Sequence, residues 1–317
     1  MNKFSKVLAA TGLVAMSLGL VACQTATAPT EDPGVVLQKG LTKLMEVSSN
    51  SYSVNLQGDL KGPAGEEPEK VTFKLAASGS MEAKDAMEPK FNLSIKGDMM
   101  ADADGGNLEA AFRMNKEAIY LSLMSLEGKG EVTIPEEIKA ELVGKWWTMP
   151  IPPEALEELA KSVPTSDTEN MTEDQKKMKE LLDQTKFFKD VVYKGSENVS
   201  GEPSHHYTAV LDKDAFATFV AKAAELQGET VSQAEIDEMK AGMEMFDFSG
   251  DFYVGQNSGI LNKVKGVFTL KATADGDSPS GTVTVEATAA DFNKPVTVEV
   301  PADAQPIPME MLGALPL

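Results

Sequence analysis

Between Tyr52 and Leu123, apolar and polar side chains alternate with a period of two. Tyr52, Val54 and Leu56 interleave with Ser53, Asn55 and Gln57; Val71, Phe73 and Leu75 with Thr72 and Lys74; Phe91, Leu93 and Ile95 with Asn92, Ser94 and Lys96. Ala110, Phe112 and Met114 continue the pattern, followed by Ile119, Leu121 and Leu123. Such alternation gives each strand one apolar and one polar face. Turn chemistry at Gly62-Pro63, Asp85, Asp104-Gly105-Gly106 and Asn115-Lys116 separates the runs. The pattern predicts an antiparallel meander with one wet face.

Helical spacing brackets and interrupts this pattern. Asp32-Pro33 reads as an N-cap followed by proline at the first helical position, and Leu37, Leu41, Leu44 and Met45 then share one face of a helix over 34–48. Pro135 to Val143 predicts a short helix and Lys145 to Thr148 an extended piece. Further helices carry Leu156, Leu159 and Val163, then Met178, Leu181 and Leu182 after a Thr172/Gln175 capping box. Strands return around Val191–Tyr193 and His206–Leu211. Two helices follow, one on Phe216, Phe219, Val220 and Ala223, the other capped by Ser232 with Glu235 and carrying Ile236, Met239 and Met243. Period-two runs close the chain: Phe246, Phe248 and Phe252; Val264, Phe268 and Leu270; Val283, Val285 and Ala287; Val296, Val298 and Val300. Asn257-Ser258-Gly259 and Asp275-Gly276-Asp277 are the expected hairpin turns. Meander, helices, meander, with no βαβ rhythm, predicts an α+β fold. Neither half has enough helix to cover its own apolar face, so one curved antiparallel sheet sharing a single set of helices is expected.

The N-terminus changes the picture from a soluble domain to an exported one. Lys3 and Lys6 precede an apolar run from Val7 to Val21, which reads as a secretory leader rather than a membrane span. It ends in Leu20-Val21-Ala22-Cys23, and Cys23 is the only cysteine. This resembles the lipobox of bacterial lipoproteins, which implies cleavage before Cys23 and acylation of its thiol. The expected organisation is a leader over 1–22, a lipidated tether over 23–33 and a single domain over 34–317. Two or more acyl chains anchor stably, whereas one is marginal. Gln24 follows the cysteine; by family analogy, the absence of Asp there permits outer-membrane sorting in a cell with two membranes. The expected location is the cell envelope, outside the cytoplasm.

Charge and rare residues narrow the chemistry. The 317-residue chain has 29 basic and 49 acidic side chains, a formal charge of −20. Losing Lys3 and Lys6 with the leader moves it to −22. This argues against nucleic acid as a partner and against adsorption to an anionic membrane without an anchor. His205 and His206 are the only histidines and, adjacent in a strand, point to opposite faces; a strand-edge pair flanking Tyr207 is the reading. Asp102, Asp104 and Asn107 approach a calcium loop, but Gly106 takes a ligand position and Arg113 stands where a bidentate Glu is needed. No phosphate-loop, dinucleotide or nucleophile-elbow pattern is present. The expectation is a non-enzymatic protein with no catalytic residue, metal or cofactor.

Trp146 and Trp147 form a candidate rim or lid, with one ring facing in and the other out if extended. Seventeen methionines, among them Met81, Met99, Met114, Met239 and Met243 on or near predicted apolar faces, lean toward an adaptable cavity.

An anchored helix, a meander, a helical block and a returning meander resemble the LolA/LolB and LppX/LprG-type lipoprotein group. Gly144-Lys145-Trp146-Trp147 and His206-Tyr207-Thr208 after Ser200-Gly201 are similar in flavour to segments of such proteins. The resemblance implies an open half-barrel whose concave apolar face is capped by helices, leaving room for acyl chains. The expected lining is Tyr52, Phe73, Phe91, Phe112, Leu121, Phe248 and Phe268, one apolar face per strand. The helices within 152–187 and 231–244 would either fill or roof the cavity. A monomeric carrier of a lipid or other amphiphile is the leading expectation. The alternative is an envelope scaffold or sensor with a closed, packed core and no ligand.

Overall fold

The Asp32 carboxylate accepts hydrogen bonds from the Gly34 and Val35 amides at 3.0 and 3.2 Å, and helix α1 (Pro33–Met45) starts from that cap. It stops short of Ser48 because the Ser48 amide and hydroxyl both donate to Asn293 Oδ1 at 2.9 Å, committing the chain to the sheet. A computed structural model of the protein describes residues 29–63, 65, 67–85, 87–162, 173–226, 228–272 and 279–307. Cys23, Thr172 of the expected capping box and the Asp275-Gly276-Asp277 turn lie outside the described residues.

The meander consists of β1 (Ser49–Lys61), β2 (Lys70–Glu82), β3 (Lys90–Ala101), β4 (Asp104–Met114) and β5 (Ala118–Lys129). The middle block holds α2 (Glu136–Leu142), β6 (Trp146–Pro150), α3 (Pro153–Ser162) and α4 (Glu173–Gln184). Then come β7 (Phe188–Val199), β8 (Glu202–Leu211), α5 (Lys213–Leu226) and α6 (Gln233–Met243). The chain closes with β9 (Phe246–Gly255), β10 (Leu261–Leu270), β11 (Ser280–Ala290) and β12 (Gln305–Pro306). Ser232 and Glu235 form the expected capping box at α6.

These strands form one sheet in the order β12-β6-β5-β4-β3-β2-β1-β11-β10-β9-β8-β7. All pairings are antiparallel except that of two-residue β12 with β6. The outermost strands β12 and β7 do not pair with each other, so the fold is an open half-barrel of the α+β class. The pairing of β1 with β11 fuses the two meanders: Val54 faces Ala287 and Leu56 faces Val285.

Helices α1, α4, α5 and α6 gather over one half of the apolar face, while α2 lies beside β5. Leu37 and Leu41 of α1 pack into a core with Phe187, Tyr207, Phe248, Phe252, Val254 and Leu261, flanked by Leu182 of α4 and Phe216 and Phe219 of α5. The α4 helix lies against α1 and α5, and α6 against α5 and β9. Of the helices in question, α4 and α6 therefore stack on the β7–β10 side.

Two expectations are corrected. Asp104-Gly105-Gly106 is not the turn but the start of β4, and Asp102 (φ 54°) makes the turn instead. The glycines serve close packing: a Cβ on Gly105 would lie 2.0 Å from Met99 O, and one on Gly106 2.7 Å from Glu127 O. Val296, Val298 and Val300 alternate but form no ladder. That segment is a strap across the sheet's polar face, held by hydrogen bonds from Val296 N to Glu82 Oε2 (2.7 Å), Asn92 Nδ2 to Thr297 O (3.1 Å) and Arg113 Nη1 to Glu299 O (2.7 Å).

Candidate functional site

Strand register, which depends on every turn between, places all seven expected lining residues on the same face of the sheet. Directly opposed residues of an antiparallel pair point the same way. One such row runs Phe248, Phe268, Val283, Gly58, Phe73 and Met99 across β9, β10, β11, β1, β2 and β3. Another runs Tyr52, Gly79, Leu93, Phe112 and Leu121 across β1 to β5. Phe91 follows two positions before Leu93 on that face.

Their surroundings differ. Phe248 is buried beneath the helices, 4.4 Å from the Phe268 ring, and belongs to the packed core. Tyr52 is also buried: its ring lies over Gly79, where a Cβ would come within 2.9 Å of it, and its hydroxyl donates to Asn92 O at 3.1 Å. Phe73, Phe91, Phe112 and Leu121 are half-buried and Phe268 is 37% exposed. Met99, expected on or near an apolar face, lies on this one and is 57% exposed, and the structure adds Leu108 (41%). Leu108 escaped the sequence reading because the neighbouring glycines look like a turn, although Leu108, Ala110 and Phe112 keep the period of two.

In β6, Trp147 faces Leu121 and therefore lies on the apolar face. Trp146 pairs with Ser122 on the opposite face, where the Arg113 guanidinium sits 4.6 Å from the centre of its ring.

The polar face is chemically distinct. A trough of about 940 Å³ crosses it from β3 to β8, bordered by Asn55, Gln57, Lys74, Lys96, Lys265 and Glu286, and none of the seven expected lining residues borders it. A twisted sheet is saddle-shaped, so both faces dip along different diagonals. Charges around the trough are largely tied to one another: Lys263 with Glu286 at 2.7 Å, Lys96 with Glu109 at 2.9 Å, and Lys129 with Asp98. Hydrogen bonding to Lys263 holds the Glu286 carboxyl below the usual range. Ala76, Val210 and Val267 also border it, so its lining mixes apolar side chains with these ion pairs.

His205 and His206 do point to opposite faces, but β8 is flanked by β7 and β9 and is not an edge. His205 lies among Tyr193 and Tyr207, where burial pulls its pKa down. His206 stacks on Tyr253 at 4.5 Å, with Asp251 2.6 Å from Nε2 and Glu197 3.3 Å from Nδ1. Among the described residues, no cluster of acidic, histidine and cysteine side chains fits a metal ion, and no helix is long and apolar enough to cross a membrane.

The chain matches no family model and no curated protein. Among solved structures it is similar to the lipoprotein LppX of Mycobacterium tuberculosis, at 14% identity over 85% of this chain and 100% of that one, with a TM-score of 0.34. It is also similar to LprF of Mycobacterium bovis, at 12% identity over 87% and 100%, TM-score 0.35. A DUF1329 family protein of Desulfovibrio piger aligns at 12% identity over 85% and 96%, TM-score 0.21.

Proposed function

We propose that this protein is a membrane-anchored, non-enzymatic lipoprotein of the bacterial cell envelope that holds a lipid or other amphiphile on the apolar face of its sheet. One observation carries the reading. The face is apolar in register from β9 to β5, yet α1, α4, α5 and α6 are gathered over the β7–β10 side. A monomer that leaves such a surface open pays for it in water contact, and an acyl chain laid against it gains about 0.8 kcal/mol per buried methylene. Phe73, Phe91, Phe112, Leu121 and Phe268 would supply the contact, with Trp147 at the β6 end. Tyr52 and Phe248 support the floor from within the core.

Native mass spectrometry of the delipidated protein offered mixed envelope lipids tests this. A bound amphiphile is expected, lost in Leu121→Glu and retained in Ser94→Glu, whose side chain is exposed on the polar face. No adduct in the unmodified protein would overturn the reading. The anchor is tested separately: a metabolically labelled fatty acid should mark the wild-type chain and not Cys23→Ala, and equal labelling would sink the assignment.

A further inference from the structure

We propose that the pocket between the β7–β8 and β9–β10 turns binds a neutral saccharide. None of the seven expected lining residues of the apolar face borders this pocket, so the site does not depend on an amphiphile being bound there.

The pocket, of about 510 Å³, lies where these two turns meet the segment that follows β11. Ser200 and Gly201 make the first turn, both at positive φ (62° and 84°), as a two-residue hairpin loop of this kind requires. The Glu202 carboxylate reaches across to the second turn. It accepts from the Asn257 and Ser258 amides at 2.9 and 2.7 Å and from the Ser258 hydroxyl at 3.1 Å. The third wall runs from Ala289 to Phe292 and is pinned at Asp291, whose carboxylate accepts from Ser51 Oγ at 2.8 Å and Lys294 Nζ at 2.7 Å. Walls tied together in this way are already ordered, so a ligand loses little of its binding energy to arranging them.

Two buried oxygens at this pocket are left over. Asn262 is 1% exposed and borders the pocket; its Nδ2 donates at 2.9 Å to Ser204 Oγ, which lies outside the wall. Asn262 Oδ1 has no hydrogen-bond partner among the described residues, and neither has Ser200 Oγ. Buried polar atoms left unmet are costly, and an amide oxygen can only accept, so the missing group is a hydrogen-bond donor. Charge selects among donors. Glu202 is spent on the turn amides and Asp291 on Lys294, which leaves neither carboxylate for a cation. The same pair leaves Lys294, the lysine that borders the pocket, unavailable to an anion. An uncharged molecule bearing hydroxyls answers both oxygens. Phe292 on the same wall offers an apolar surface to the C–H face of a sugar ring. The volume falls within the roughly 300–1,000 Å³ of small-molecule sites, whose few polar groups fix a ligand against apolar ones.

Amide NMR of the full chain tests the site. Glucose and N-acetylglucosamine serve as neutral probes, glucosamine below neutral pH as the cationic one and glucuronate as the anionic one. Saturable shifts at the Ser200, Gly201, Ser258 and Phe292 amides are expected with the neutral sugars, and weaker shifts or none with the charged ones. Ser200→Gly deletes one of the two oxygens while suiting the positive φ of the turn. It should weaken binding by roughly two- to tenfold, the worth of one neutral hydrogen bond. No saturable shift with any sugar would mean that water alone meets the two oxygens, and would overturn the proposal. Tighter binding of either charged probe would overturn it too, as would binding undiminished in Ser200→Gly.

Discussion

Tyr207 and Tyr52 are both buried tyrosines on the apolar face, yet removing their hydroxyls should have opposite effects. Tyr207 is 0% exposed, packed 5.6 Å from Tyr193, and its hydroxyl has no hydrogen-bond partner among the described residues. Burial pushes its phenol up to about 12. A polar group buried without a partner costs about 1–3 kcal/mol. Tyr207→Phe keeps the ring and removes that cost, so it should stabilise the fold by about 1–2 kcal/mol, less a little packing lost where the oxygen stood. Tyr52 donates to Asn92 O at 3.1 Å, so Tyr52→Phe discards a made bond, leaves that carbonyl short of a donor and should cost about 1 kcal/mol. At about 2–4 °C per kcal/mol for a chain approaching this size, the two melting temperatures should fall on either side of wild type by a few degrees. Urea titrations should show displaced midpoints with an unchanged slope. Destabilisation of Tyr207→Phe by more than about 0.5 kcal/mol would refute the reasoning, because it would mean that the hydroxyl is hydrogen-bonded in solution.

Three further outcomes follow from the same geometry. Gly79→Ala places a methyl 1.9 Å from Asn92 O, a backbone atom with nowhere to go, and should cost at least about 1–3 kcal/mol, read from the urea midpoint. His205 has a pKa drawn below the ordinary 6.5 by burial, so below that pH the unfolded chain binds a proton that the native chain refuses. Stability should therefore be lost as pH falls from about 6.5, and a His205→Phe variant measured alongside should show a shallower loss over that window. Glu82→Gln removes the 2.6 Å ion pair with Lys90 and weakens the acceptor of the Val296 amide, so hydrogen exchange at Val296 should speed up while the β9 amides stay protected.

The strands were legible wherever one face is wet, because alternation is a local property. Tyr52-Val54-Leu56 and Phe91-Leu93-Ile95 announce both strand and face without knowledge of any partner. The register linking Phe268 to Met99 across four intervening pairings was not legible, since it is fixed by which strands meet. Val296-Val298-Val300 shows the limit from the other side: the alternation is present, but its amides and carbonyls are met by side chains of β2, β3 and β4 rather than by a strand. Gly105-Gly106 carries turn composition for a different reason, the crowding by Met99 O and Glu127 O on adjacent strands. The β3–β4 turn falls instead on Asp102, whose carboxylate accepts from the Glu69 and Lys70 amides at the start of neighbouring β2. The expectation at Cys23 is of another kind, since a processing signal is read as a linear string and needs no fold.

The pairing of β1 with β11 has a consequence for the order in which the molecule is made. Tyr52 and Ala289 are opposed in the finished sheet although more than two hundred residues separate them. Closing so long a loop is entropically expensive and slow relative to forming the hairpins β1 to β5, whose partners are sequence neighbours. The first meander can assemble before the rest of the chain has folded. Its outer strand β1 then waits with one hydrogen-bonding edge unpaired and with the face that later meets the core bare. For that interval the nascent protein is an open-edged sheet, the species most prone to pair with a neighbour. Attachment to a membrane during this interval would keep such chains dispersed in the plane of the bilayer and away from one another's edges.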